Sequence, residues 1–381
     1  MQALVLRRPR QLLLETVADP TVLPHEVLLR IESVGVCGTD FHIYDGSANY
    51  NVDGRGRPIP LQVQPQILGH EFSGRIEDMG AGVTGLGIGQ QVVVDQVRTC
   101  VSERRAELCE FCVSGDSHQC ECGLEAGITG VPGAFADLLA VPAANVIPIP
   151  EATSPLTAAL VEPTGCVFHA MDRLEHSALR YCFGGPYRIR SVVIIGGGPA
   201  GLLFLQYIRN VLAFDGNVVL ADRRHRSLEL ASRFGAKAVD VSEGDPADLA
   251  TRKNGGARFE LLIEASGNGR VFEWLPLLAK RQANLLLYGA GHGDLTAGCL
   301  TPWQAMEFNV VTSAGASGRI GPDGVPVTYG NALQALVRGQ FDVDAIVTHR
   351  YPGLTSLAGA FENDHTSSDY VKGVMVQGAA N

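Results

Sequence analysis

SVVIIGGGPAGLLFLQYIRNV, residues 191–211, decides the fold. Ser191–Ile195 is a short apolar run of the kind that forms a buried strand, and Ala200–Val211 has the spacing of an apolar helix. Between them, Gly196-Gly197-Gly198-Pro199-Ala200-Gly201 satisfies G-x-G-x-x-G. Glycines there permit a tight turn and let the backbone approach a pyrophosphate at the helix N-terminus. In a chain with 45 glycines such a hexamer alone is weak. The strand Asn217–Ala221 strengthens it, because Asp222 follows about 20 residues on, where an acid meets the ribose. Gly196, Gly198, Pro199 and Gly201 are therefore expected to hold a dinucleotide, with Asp222 on its 2′-hydroxyl. A carboxylate there repels a 2′-phosphate, so NAD is expected over NADP. Arg223 and Arg224, beside that acid, keep NADP as the lesser alternative.

Working outward, strands and helices alternate. Ser227–Phe234 reads as a helix ended by Gly235, and Phe259–Glu264 and Asn284–Tyr288 read as strands. That rhythm means a doubly wound parallel sheet, a Rossmann domain, here over residues 166–312. Tyr181–Arg190 reads as the loop leading into it. Residues 1–150 are β-rich, with alternating runs such as Val27–Ile31 broken by Gly and Pro turns. Residues 155–174 have helical spacing, and Pro163 limits how the first turns pack. From about residue 313 the character is mixed. A length of 381 residues fits two domains better than one.

The net charge of −10 disfavours nucleic acid. The basic run Arg223–Arg226 reads as a solvated turn. Apolar stretches such as Val192–Ile195 fall far short of the roughly 20 residues that span a bilayer. Arg7, Arg8 and Arg10 follow the first apolar residues, the reverse of a signal peptide. A cytoplasmic protein with no membrane partner is expected. Nine cysteines, an odd number, then favour metal ligands plus spare thiols over a disulfide framework.

Two clusters follow from that. Cys109-x-x-Cys112 and Cys120 supply three thiolates, and Cys100 can supply a fourth; four make a closed tetrahedral zinc site with a structural role. Cys122 is an alternative to one of them. The second set is dispersed: Cys37 in CGTDFH, His70-Glu71, and Glu162-Pro163. A thiolate, an imidazole and a carboxylate suit zinc, and three protein ligands leave a fourth position for a substrate oxygen. Taken singly, each of these residues reads as an ordinary core or surface group.

VGVCGTDFHIY, GHEFSG and GGGPAGLL, in this order and at these separations, resemble the zinc-containing medium-chain alcohol dehydrogenases over essentially the whole chain. The sorbitol, threonine and butanediol dehydrogenase branch is the most similar. The resemblance implies an α/β protein: a partly open, GroES-like β-barrel catalytic domain (1–165) plus the Rossmann domain, with a return to the catalytic domain over 313–381. It implies one catalytic and one structural zinc. Cys37 and His70 match the first two catalytic ligands and Glu162 the third. Glu71 matches an acid that stands behind the metal or swings onto it. Thr39 and His42 match a proton relay, and Arg226 a residue near the adenosine. Hydride transfer from a secondary alcohol of a small polyol or sugar is implied, with a β-hydroxy amino acid such as threonine as alternative substrate. Relatives form homodimers or homotetramers. A non-catalytic NADP(H)-binding member would show gaps among the ligands, and Cys37, His70 and Glu162 are all present. Two departures stand out: six extra residues between Cys100 and Cys109, and a long segment at 46–64 that could cover the substrate pocket.

Overall fold

The computed structural model describes residues 1–291, 300–316, 319–321 and 325–378, in two units. Met1–Gly165, Ala316–Val337 and Val347–Asn381 make the first, and Cys166–Gly315 with Arg338–Ile346 the second. The segment 338–346, expected with the C-terminal return, therefore belongs with the second unit.

The first unit is organised by the long strand Glu26–Val36. Glu71–Met79 pairs antiparallel along one edge of it. Its other edge is shared: residues 26–30 pair with Leu138–Pro142, and residues 33–36 with Lys372–Val376. A strand that changes partners half-way along one edge curls the sheet, as a partly open barrel requires. Leu29, Ile31, Val34, Phe72, Ile76, Phe135 and Phe361 fill its interior. The strand ends at Val36, and Cys37, extended at φ −96°, ψ 161°, caps the helix Gly38–Asp45.

The second unit holds six parallel strands. Their order is Lys237–Asp240, Asn217–Asp222, Ser191–Ile195, Phe259–Glu264, Ala279–Leu287 and Asn309–Thr312. The order reverses between Ser191–Ile195 and Phe259–Glu264, and doubly wound sheets bind ligands outside the carboxyl ends of strands at such a switch point. Both of those strands are buried at every residue, because helices cover both faces.

Three boundaries differ from expectation. The helix over 155–174 is two helices, Pro155–Ala159 and Val161–Glu175, broken at Leu160. Pro163 lacks an N–H and its ring crowds the carbonyl four residues back, which is that of Ala159. The helix after the glycine turn runs Pro199–Gln206 and widens into a π turn, Tyr207–Val211. The strand placed at 284–288 begins earlier, at Ala279. Among the described residues, no helix is long and apolar enough to cross a membrane.

Leu29 is fully buried at the centre of the organising strand. Leu29→Ala should cost about 2–5 kcal/mol of stability, measured as a lower denaturant midpoint with an unchanged slope.

Candidate functional site

Cys37, His70 and Glu71 come together in the first unit: one ligand atom of each lies within 4.8 Å of the others. Local structure explains this. Cys37 sits where the organising strand gives way to a helix, and His70 immediately precedes the paired strand Glu71–Met79. Gly35 and Glu71 are register partners across the two strands. Glu162, buried in the first turn of Val161–Glu175, stands outside this group.

Asp40 organises the cluster, and the sequence reading did not assign it a role. Its carboxylate accepts the Cys37 N–H at 2.8 Å and the Gly69 N–H at 3.3 Å. It also lies 3.5 Å from His70 Nδ1. The signal was available: an acid three residues after a helix N-cap is a capping-box spacing. Burial pushes His70 down, but the negative charge of Asp40 and Cys37 outweighs it and holds the imidazole well above its usual pKa. The site thus favours positive charge, which is the chemistry a bound cation satisfies. Glu125 is nearby; burial holds its carboxyl above the usual range against the pull of His70. On the far side, Lys372 is buried and ion-paired with Glu71.

Thr39 Oγ1 lies 3.8 Å from Cys37 Sγ. His42, one turn further along the same helix, has Nδ1 3.2 Å from Ser47 Oγ. The segment that begins at Gly46 folds as a hairpin in which Asp53 accepts the N–H groups of Arg55 and Arg57 at 2.8 and 3.0 Å.

Cys100, Cys109, Cys112 and Cys120 form the other group, again with ligand atoms within 4.8 Å. Cys100 Sγ is 3.5 Å and Cys109 Sγ 3.9 Å from Cys120 Sγ. A zinc tetrahedron with arms of about 2.3 Å has edges of about 3.8 Å, so this spacing fits. The N–H groups of Cys112 and Glu121 lower Cys109 to about 7. Burial, with the sulfurs of Cys100 and Cys112 alongside, pushes Cys120 up to about 12. Thiols this close cannot all ionise unless a cation shares them. The six extra residues loop out above Cys100, closed by Arg105 N–H to Cys100 O at 3.0 Å and by Glu103 on Arg98 at 2.6 Å. Cys122 lies outside the group.

In the second unit the glycine turn opens the helix at Pro199, with Gly198 as N-cap. Gly196 has φ +104°, open to glycine. A Cβ at Gly201 would collide with the Gly196 carbonyl. Asp222 ends the neighbouring strand and accepts the Gly197 N–H at 2.6 Å. Arg224 also engages it, through its backbone N–H at 2.8 Å and its guanidinium at 3.2 Å. Burial works to raise the pKa of Asp222, but Arg224 and the Gly197 N–H keep it lowered, so the carboxylate stays charged. Arg226 pairs with Glu229 at 3.2 Å on the outer face of the next helix.

The family model of the alcohol dehydrogenase GroES-like domain matches residues 23–151. L-threonine 3-dehydrogenase of Cutibacterium acnes is 30% identical over 370 residues, covering 95% of each chain. L-galactonate-5-dehydrogenase of Escherichia coli is 27% identical over 379 residues, covering 98% of each. Among solved structures, galactitol-1-phosphate dehydrogenase from Escherichia coli superposes with a TM-score of 0.79 at 24% identity, covering 99% of this chain and 100% of the other. The chain belongs to the zinc-containing medium-chain alcohol dehydrogenase family. It is an oxidoreductase of that family.

Gly201→Val would drive a branched side chain into the Gly196 carbonyl. It should abolish binding of nicotinamide cofactor in a calorimetric titration, while the metal content of the protein stays as in the wild type.

Proposed function

We propose that this enzyme oxidises a secondary carbinol of a small polyol, sugar or sugar acid, using NAD and a zinc held by Cys37, His70 and Glu71. The observation that carries the reading is the convergence of those three ligand atoms within 4.8 Å, with Thr39 beside Cys37. When bound, zinc supplies a Lewis acid that acidifies the hydroxyl, and nicotinamide supplies the hydride acceptor. The chain provides the rest. Asp40 places its charge 3.5 Å from His70 Nδ1, the position outer carboxylates take behind metal-binding histidines. Glu162, in the same unit, is the candidate to join or replace Glu71. The Thr39 hydroxyl accepts the carbinol proton as it passes its own on, and His42, half-exposed and beside Ser47, releases a proton to solvent at the end of that relay. Histidine suits this step because its ordinary pKa of about 6.5 lies near working pH.

The charge kept on Asp222 supports NAD over NADP, since it repels a 2′-phosphate. Arg224 already engages that carboxylate, so the preference should be moderate. Cys100, Cys109, Cys112 and Cys120 hold the second, structural zinc. A second reading of the substrate, a β-hydroxy amino acid such as threonine, is favoured by the relatives named L-threonine 3-dehydrogenase at 29–30% identity.

A panel of polyols, aldonates and hydroxy amino acids, with NAD or NADP and read as reduced-cofactor absorbance, tests the reading. Turnover of a secondary carbinol with NAD is expected; no turnover across the panel would refute it. Thr39→Val should lower kcat by about 10²-fold or more, the scale of a lost proton transfer. His42→Gln should lower it less and shift its pH profile.

Metal analysis should find two zincs per chain. Cys37→Ser should lose one of them and all turnover, with the unfolding midpoint near that of the wild type. Cys112→Ser should lose the other and mainly lower stability. The opposite pattern would mean the two roles are exchanged.

A further inference from the structure

Lys372 is 1% exposed and its partner Glu71 2%, so the strand Lys372–Val376 buries a full positive charge in the core of the first unit. Nothing in strand packing requires a lysine there, and an unpaired ammonium at such a place is very costly. Its Nζ donates to the Glu71 carboxylate and, at 2.9 Å, to the Val36 carbonyl. Val36 is the residue before Cys37. Lysine thus grips both the backbone leading into one ligand and the side chain of another. Room for the pair comes from Gly35: a Cβ there would collide with Glu71 Oε2 and lie 3.2 Å from Lys372 Cε.

We propose that Lys372 is a positioning residue that competes with the metal for the Glu71 carboxylate, and so keeps Glu71 an exchangeable ligand. The proposal rests on the reading of Cys37, His70 and Glu71 as the metal site. The charges support it. A Cys37 thiolate, Asp40 and Glu71 carry three negative charges within one contact network, and Lys372 carries one positive charge. With His70 neutral, as a metal-binding imidazole must be, the remainder is −2, which a divalent cation neutralises. Without the ammonium, Glu71 would be a buried, uncompensated carboxylate whose best available partner is the metal. A positive charge this close to a cation also weakens the cation's hold directly.

The test is zinc affinity of the whole enzyme, by competition with a chromophoric chelator, in the wild type and in Lys372→Gln, Lys372→Met and Lys372→Arg. Lys372→Gln drops the charge and keeps a donor for the Val36 carbonyl, so its zinc affinity reads the charge alone, whereas Lys372→Met removes both the charge and that donor. Both neutral variants should bind the catalytic zinc about tenfold more tightly, or more, and release it more slowly. Lys372→Arg should stay close to the wild type. Their kcat should fall while KM changes little, because a fixed Glu71 no longer yields its place. Unchanged or weaker zinc binding in the neutral variants would overturn the proposal, since a lysine that merely orients Glu71 for the metal predicts a loss. Cys37→Ser serves as the control in each background. If it leaves the zinc content intact, the site assignment itself falls, and this proposal with it.

Discussion

Buried charge is the constraint on which the first unit depends. His70 and Glu71 lie side by side at the start of a core strand, at 4% and 1% exposure. A carboxylate in that position must find compensation or lose its charge. Compensation arrives from both sides, Asp40 behind the imidazole and Lys372 behind the carboxylate. Asp40 requires the helix Gly38–Asp45 to start at Cys37, and that requires the organising strand to stop at Val36. Lys372 requires the C-terminal strand to enter the sheet between Glu26–Val36 and Val347–Tyr351. The barrel's topology and the chemistry of its site are therefore one problem solved once. Replacing such a buried pair by hydrophobic residues is often neutral for stability, but here it would remove one of the three side chains that converge within 4.8 Å.

The second unit meets a different demand with local means. Every part of the dinucleotide turn lies within a short stretch of chain: strand, three glycines, helix and the acid that ends the next strand. The backbone N–H of Gly197 and the carboxylate of Asp222 tie turn and strand together at 2.6 Å. Here the geometry follows from adjacent residues, and tertiary structure adds only the order of the strands.

That contrast decides what could be read in advance. Residues 191–222 announced their fold because periodicity, glycine spacing and the terminal acid agree over short range. The thiol lobe was legible for the same reason, although spacing alone left Cys100 and Cys122 as rivals; only the convergence of the Cys100 sulfur with the other three, across the looped-out residues 101–108, separates them. Lys372 was not legible. In VKGVMV it reads as an ordinary strand residue, and its partner is 301 positions away. Asp40 stands inside CGTDFH, yet its role depends on a cap that forms only where the strand ends. The break at Leu160 is half visible: Pro163 argues for it, but the helical spacing over 155–174 runs across it. Glu162 shows the limit of carrying a role from a motif, since it is buried in the same unit yet stands apart from the other ligand atoms.

The 301-residue separation between Glu71 and Lys372 also orders events during synthesis. Chains fold vectorially as they leave the ribosome. All four thiols of the lobe have emerged once residue 120 is out, and they lie within 21 positions of one another, so that knot can tie itself early. Glu71, by contrast, waits without its counter-ion until residue 372 has been added. A nascent chain paused before that point carries the complete run of lobe thiols but lacks both the charge that Glu71 pairs with and the strand that closes the sheet beside Glu26–Val36.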